Sequence, residues 1–123
     1  MHPLFHWSPV ERHDSIRRQG LVPFSDPTVS TGNHRYPYIS MSPSPSMAWA
    51  YSGDMEWVTE YEQWDLWQVR IPDGAEVHVR PNWGDEIQEV KVFSTIPCSC
   101  LWFVGRREIP FAKEIELDQE VRP

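Results

Sequence analysis

Three residue types scattered along this chain carry chemistry, and each is ambiguous alone. Glu89 lies in Glu86-Ile87-Gln88-Glu89-Val90-Lys91-Val92-Phe93-Ser94, which reads as a strand closed by Thr95-Ile96-Pro97. Alternation puts Ile87, Glu89, Lys91 and Phe93 on one face and Gln88, Val90, Val92 and Ser94 on the other. Neither face is cleanly apolar, so the carboxylate is either a solvated strand residue or a fixed negative charge aimed into a cleft. His6 follows a short apolar segment and precedes a helix signal; such a histidine is either bonded to a neighbouring carbonyl or free to meet a ligand. Cys98 and Cys100, the chain's two cysteines, would have Cα atoms about 6.5 to 7 Å apart if extended, at the limit for a disulfide. They read as reduced core residues. No further Cys or His pair at finger spacing completes a zinc site, so no metal is expected.

The elements that position these groups follow from turn and capping chemistry. Ser8-Pro9-Val10-Glu11 has the form of a capping box, which predicts a helix from there to Gln19 with Gly20 as a left-handed C-cap. Pro23 to Arg35 is polar and aperiodic and predicts a loop. Tyr36-Pro37-Tyr38-Ile39-Ser40-Met41 predicts a short strand, placed at an edge by Pro37, and Met47 to Tyr51 a short helix ended by Gly53. Asp65 to Pro72 and Ala75 to Arg80 predict strands around the turn residues Asp73-Gly74, and Pro81 to Asp85 a loop into the Glu89 strand. Leu101-Trp102-Phe103-Val104 is wholly apolar and predicts the most buried strand, with Lys113 to Asp118 a weak edge strand.

At 123 residues the chain predicts one domain spanning 1–123, α+β in class, with two small packed antiparallel sheets and one or two short helices in its N-terminal half. No apolar run approaches the roughly 20 residues of a membrane-spanning helix, and the first residues lack a secretory pattern, which predicts a cytoplasmic protein without membrane contact. The net charge of −7 argues against non-specific nucleic-acid binding but leaves room for a local basic groove. Seven tryptophans are many for this length and supply core and ledges.

Three stretches fall into one order: Leu4-Phe5-His6-Trp7-Ser8-Pro9; Tyr38-Ile39-Ser40-Met41 running on to Ala48-Trp49-Ala50-Tyr51; and Gln88-Glu89-Val90-Lys91-Val92-Phe93. Together they resemble the H-Y-E branch of the ADP-ribosyltransferases, the branch of diphtheria-like toxins and poly(ADP-ribose) polymerases, over the span from Leu4 to about Glu108. The resemblance implies a split-sheet core and an enzyme, a glycosyltransferase-class mono-ADP-ribosyltransferase that takes NAD as co-substrate, releases nicotinamide and needs no metal. It implies that His6 bonds a ribose hydroxyl, that Tyr38 stacks on the nicotinamide with Tyr51 on its other side, and that Glu89 holds the nicotinamide ribose and steadies its positive charge. Trp7, Ser8 and Ser46 complete the implied NAD-binding set. Many relatives have Gly where this chain has Trp7, so the indole must point away from the nicotinamide. Trp83 and Asp85, in the loop before Glu89, are the implied contacts to an unidentified macromolecular or small-molecule acceptor, and Arg17, Arg18 or Arg35 could face the pyrophosphate. Two other readings stand beside this one: an NAD-using RNA 2′-phosphotransferase, for which no basic cluster is evident beside His6, and a catalytically inactive, tryptophan-rich interaction domain.

Overall fold

The computed structural model describes residues 3–24, 37–51, 63–81 and 87–108. Six strands and two α-helices occur in them: β1 (Leu4–Pro9), α1 (His13–Gln19), β2 (Ile39–Met41), α2 (Pro45–Tyr51), β3 (Gln63–Val69), β4 (Val77–Pro81), β5 (Ile87–Val92) and β6 (Leu101–Glu108). The strands form two antiparallel sheets of three, in the orders β1-β3-β6 and β2-β5-β4. This is the α+β arrangement of two small antiparallel sheets read from the sequence, with β2 at an edge as Pro37 indicated.

The larger core fills the space between the sheets. Leu4, Trp67, Val69 and Leu101 of the first sheet meet Ile39, Met41, Val90 and Val92 of the second, and Ile16 of α1, Leu21 and Ile96 close one end. A smaller core covers the opposite face of the first sheet, where Phe5, Trp7, Trp64 and Leu66 receive Ala48 and Trp49 of α2. In this second core Trp49 stands edge-on to both Trp7 and Trp64, at centroid separations of 5.6 and 5.1 Å. Alternation along β1 and β3 feeds both cores at once, so the central strand β3 is buried at Trp64, Asp65, Leu66, Trp67 and Val69.

Several local expectations are overturned. The capping box does not form: Ser8 stays in β1 opposite Asp65, and Val10–Arg12 make a 3-10 turn, without a side-chain cap, before α1 begins at His13. Strand pairing with β3 satisfies the backbone there and outcompetes the cap. Gly20 does take a positive φ of 78°, but with ψ −164° rather than the left-handed helical value. That conformation lets Leu21 pair with Ile96 through two 2.9 Å backbone bonds. A Cβ on Gly20 would lie 2.0 Å from the Ile96 carbonyl oxygen. Helix α2 starts earlier than its hydrophobic pattern suggests because Ser44 caps it, Oγ accepting from the Met47 N–H at 3.2 Å, with Pro45 at the first helical position.

β6 is not the most buried strand but an edge. Trp102, Phe103 and Val104 are 50, 39 and 38 % exposed, and a bulge between Leu66 and Trp67 in the β3 register leaves Val104 without a partner. The cysteines sit in a 3-10 turn rather than an extended segment; both are free thiols, Cys100 buried as expected and Cys98 exposed. The strands flanking Asp73-Gly74 belong to different sheets, so that turn hands the chain from one sheet to the other. The loop assigned to Pro23–Arg35, for its part beyond Phe24, and the strand assigned to 113–118 lie outside the described residues.

Candidate active site

β1 and β2 join the two sheets for one step only. Phe5 and Ser42 exchange backbone bonds of 2.8 and 3.1 Å, after which the strands part. At the next position the side chain of His6 replaces a backbone donor: its Nδ1 lies 2.7 Å from the Ser40 carbonyl oxygen. A carbonyl oxygen can only accept, so Nδ1 carries the proton and Nε2 keeps its lone pair. Burial pushes the His6 imidazole below its usual range; the bond to Ser40 opposes that shift, and the nearby Arg12 reinforces it. The ring is therefore neutral at pH 7, with Nε2 a ready hydrogen-bond acceptor.

The same Ser40 reaches Glu89 through its side chain. Ser40 Oγ donates to Glu89 Oε2 at 2.5 Å, a short charge-assisted bond. Glu89 is 5 % exposed, and its other oxygen, Oε1, lies 3.9 Å from Nη1 of the largely exposed Arg80. This separation is too long for a hydrogen bond, so Oε1 keeps acceptor capacity. The placement follows from register: Arg80 lies opposite Glu89 on β4, and Ser40 opposite Lys91 on β5, all on the face turned away from Val90 and Val92. His6, Ser40 and Glu89, from three distant segments, thus form one connected chain of polar groups.

Tyr38 extends that face. Its ring lies 5.5 Å from Phe93, and the Lys91 ammonium sits 4.7 Å above it. A flat cation can stack on Tyr38 only by moving Lys91 aside or by using the other face. Trp7 points away from His6, as strand alternation requires; its indole is buried and Nε1 donates to the Pro45 carbonyl at 2.8 Å, fastening α2 to β1. Ser8 is buried on the His6 side of β1, and Ser46 lies in the first turn of α2, its Oγ 3.4 Å from that of Ser44. Trp83, Asp85, Arg35 and the Tyr51 side chain lie outside the described residues.

A second polar network lies across the first sheet. Asp65, fully buried, accepts from Arg106 Nε at 2.8 Å and pairs with His13 Nδ1 at 2.7 Å, while Arg17 Nε donates to His13 Nε2 at 3.2 Å. The bond to Asp65 raises the pKa of Arg106. Arg17, considered for a pyrophosphate, is thus engaged with His13 and lies over the Trp67 ring at 5.7 Å. Trp67, directly opposite His6 in the β1–β3 ladder, keeps its buried Nε1 without a hydrogen-bond partner. Sequence reading missed Ser40 as a linker and this network entirely. The first stood in plain view inside Tyr38-Ile39-Ser40-Met41, where alternation puts it beside Tyr38; the second joins residues 52 and 41 positions apart.

Among the described residues no three His, Cys, Asp or Glu side chains gather as a metal site, and no helix is long and apolar enough to cross a membrane. No protein-family model matches the chain, and a search of curated proteins finds no match.

Proposed function

We propose that the chain is an NAD-dependent mono-ADP-ribosyltransferase with the split-sheet core of that superfamily. The observation that carries the reading is the connection of His6 to Glu89 through Ser40, by bonds of 2.7 and 2.5 Å. It unites two of the three groups the resemblance singles out and leaves each with an acceptor atom, His6 Nε2 and Glu89 Oε1, that the link does not use. NAD supplies an electrophilic ribose carbon once its bond to nicotinamide is broken.

The residues divide the work. His6 Nε2 accepts from one ribose hydroxyl, and Ser40 holds Glu89 Oε2 so that Oε1 faces the second hydroxyl and the carbon where positive charge builds. A carboxylate fixed in a water-poor pocket stabilises such charge without having to reorganise, as in glycoside cleavage. Tyr38 supplies a flat face for the departing ring, and the indole of Trp7 packs against Trp49 on the side of β1 away from His6. Aromatic faces hold flat cations by about 0.5 to 2 kcal/mol each, which a mere binding module could also supply. The carboxylate is what separates transfer from capture.

The test is nicotinamide release from NAD by the purified protein, with cell extract supplied as acceptor. The expected result is release that Glu89→Gln lowers by about 10² to 10³ while the fold persists. Neither release nor NAD binding by the native protein, or full activity in Glu89→Gln, overturns the reading.

A further inference from the structure

On the second sheet, the face that carries Glu89 continues outward as a row of rings and cations. Tyr38, Phe93 and His78 stand side by side across β2, β5 and β4, with centroids 5.5 Å apart for Tyr38 and Phe93 and 4.5 Å for His78 and Phe93. Lys91 lies between them, over Tyr38, and Arg80 lies opposite Glu89. His78 and Arg80 have side chains 62 and 65 % exposed, and Tyr38, Lys91 and Phe93 are half-buried, so the row is open to solvent. Two carboxylates share the face: Glu89, which turns inward, and Glu76, held 3.3 Å from His78 Nε2.

Adjacent rings on an open sheet face form a stacking ladder for flat heterocycles, and interleaved cations suit a phosphate-linked strand. We propose that this face binds single-stranded nucleic acid and that a stacked nucleobase is the ADP-ribose acceptor; the second half rests on the transferase reading above. Lys91 is placed to exchange the Tyr38 ring for a phosphate, which uncovers that face for a base and leaves the opposite face to the nicotinamide. Lys91 is two residues from Glu89 along β5, so the strand's path leads to the carboxylate. In the transfer, the bond from ribose C1′ to nicotinamide breaks with its electron pair leaving on nicotinamide. A base nitrogen then bonds to C1′ and gives its proton to solvent.

The net charge of −7 shapes the affinity. With two cations on the face, counterion release contributes little, and the slope of log affinity against log salt is about −1.4 for a single strand. Stacking carries the rest, which excludes duplexes, whose bases are already stacked against each other.

The experiment uses the full chain and a fluorescein-labelled single strand of about twelve nucleotides, within the usual site sizes for such surfaces. Anisotropy is expected to show binding that Phe93→Leu and His78→Ala each weaken by about tenfold, with nicotinamide release to water unchanged in both. Phe93→Leu keeps apolar volume and His78 is exposed, so both variants retain the fold. No binding of the strand, binding by both variants as tight as by the native protein, or equal binding of the annealed duplex overturns the proposal. Labelled NAD separates the two readings. Label on extract proteins with the oligonucleotide unmodified overturns the nucleobase acceptor and leaves the transferase. Ring-dependent binding without nicotinamide release overturns the transferase and the acceptor role, and leaves the platform.

Discussion

Replacing Ser40 by alanine removes one hydroxyl and tests the link on which the site depends. Ser40 Oγ donates to Glu89 Oε2 at 2.5 Å, and Glu89 is 5 % exposed, so no water readily takes the hydroxyl's place. Hydrogen bonds to charged groups contribute about 1.5 to 3 kcal/mol, and a buried acceptor left short of a donor forfeits most of that. Taking ~2 kcal/mol, and roughly 3 to 5 °C per kcal/mol for a domain of this size, Ser40→Ala is expected to lower Tm by about 6 to 10 °C. Because the His6 bond runs to the Ser40 backbone carbonyl, it survives the substitution. Nicotinamide release is expected to fall about 10- to 100-fold as the carboxylate loses its fixed orientation. In a Glu89→Gln background the lost bond is between neutral groups and costs only about 1 kcal/mol, so a double-mutant cycle read by urea denaturation should show ~1 kcal/mol of coupling. Additivity within about 0.3 kcal/mol, or a native Tm in Ser40→Ala, refutes the assigned role of the hydroxyl.

Further expectations follow from other parts of the fold. The His6 pKa is depressed from its ordinary 6.5, so the unfolded chain binds the proton first as pH falls. Its contribution to stability is complete above about pH 6.5 and is lost below it, toward the lower folded value; urea midpoints between pH 7.5 and 5 should fall less steeply in His6→Gln. Gly20→Ala forces a Cβ to 2.0 Å from the Ile96 carbonyl at a positive φ, and thermal melts should show a loss of about 2 kcal/mol or more. Asp65→Asn removes the fully buried carboxylate that accepts from Arg106 and pairs with His13, and chemical denaturation is expected to show a lower midpoint than in the native protein.

Much of the sheet architecture was legible because period-two patterns and turn residues are local signals. β4 and β5 appear within two residues of where alternation and the turn at Asp73-Gly74 place them, and β3 begins two and ends three residues earlier than its pattern suggests. β6 misled because Leu-Trp-Phe-Val is the pattern of a strand buried on both faces, whereas its depth is fixed by strand order, and the order puts it at an edge. Ser8 misled for a related reason: its capping pattern is real, yet a partner strand from residues 63–69 claims the same backbone. That His6 and Glu89 share a site was an expectation from the resemblance rather than from any local pattern. What joins them was not legible either, since a serine in a short strand gains meaning only from the register that sets it beside Lys91 and within reach of Glu89.

The edge-on trio of Trp7, Trp49 and Trp64 gives the protein an optical reporter of its own. Indoles this close couple electronically, and their combined circular-dichroism signal exists only while α2 lies against the first sheet. Trp102, on the open edge strand, is the exposed indole among those described and answers instead to a water-soluble quencher such as iodide. Detachment of α2 and disturbance of β6 can therefore be followed separately, in unlabelled native protein, by absorption of polarised light and by emission.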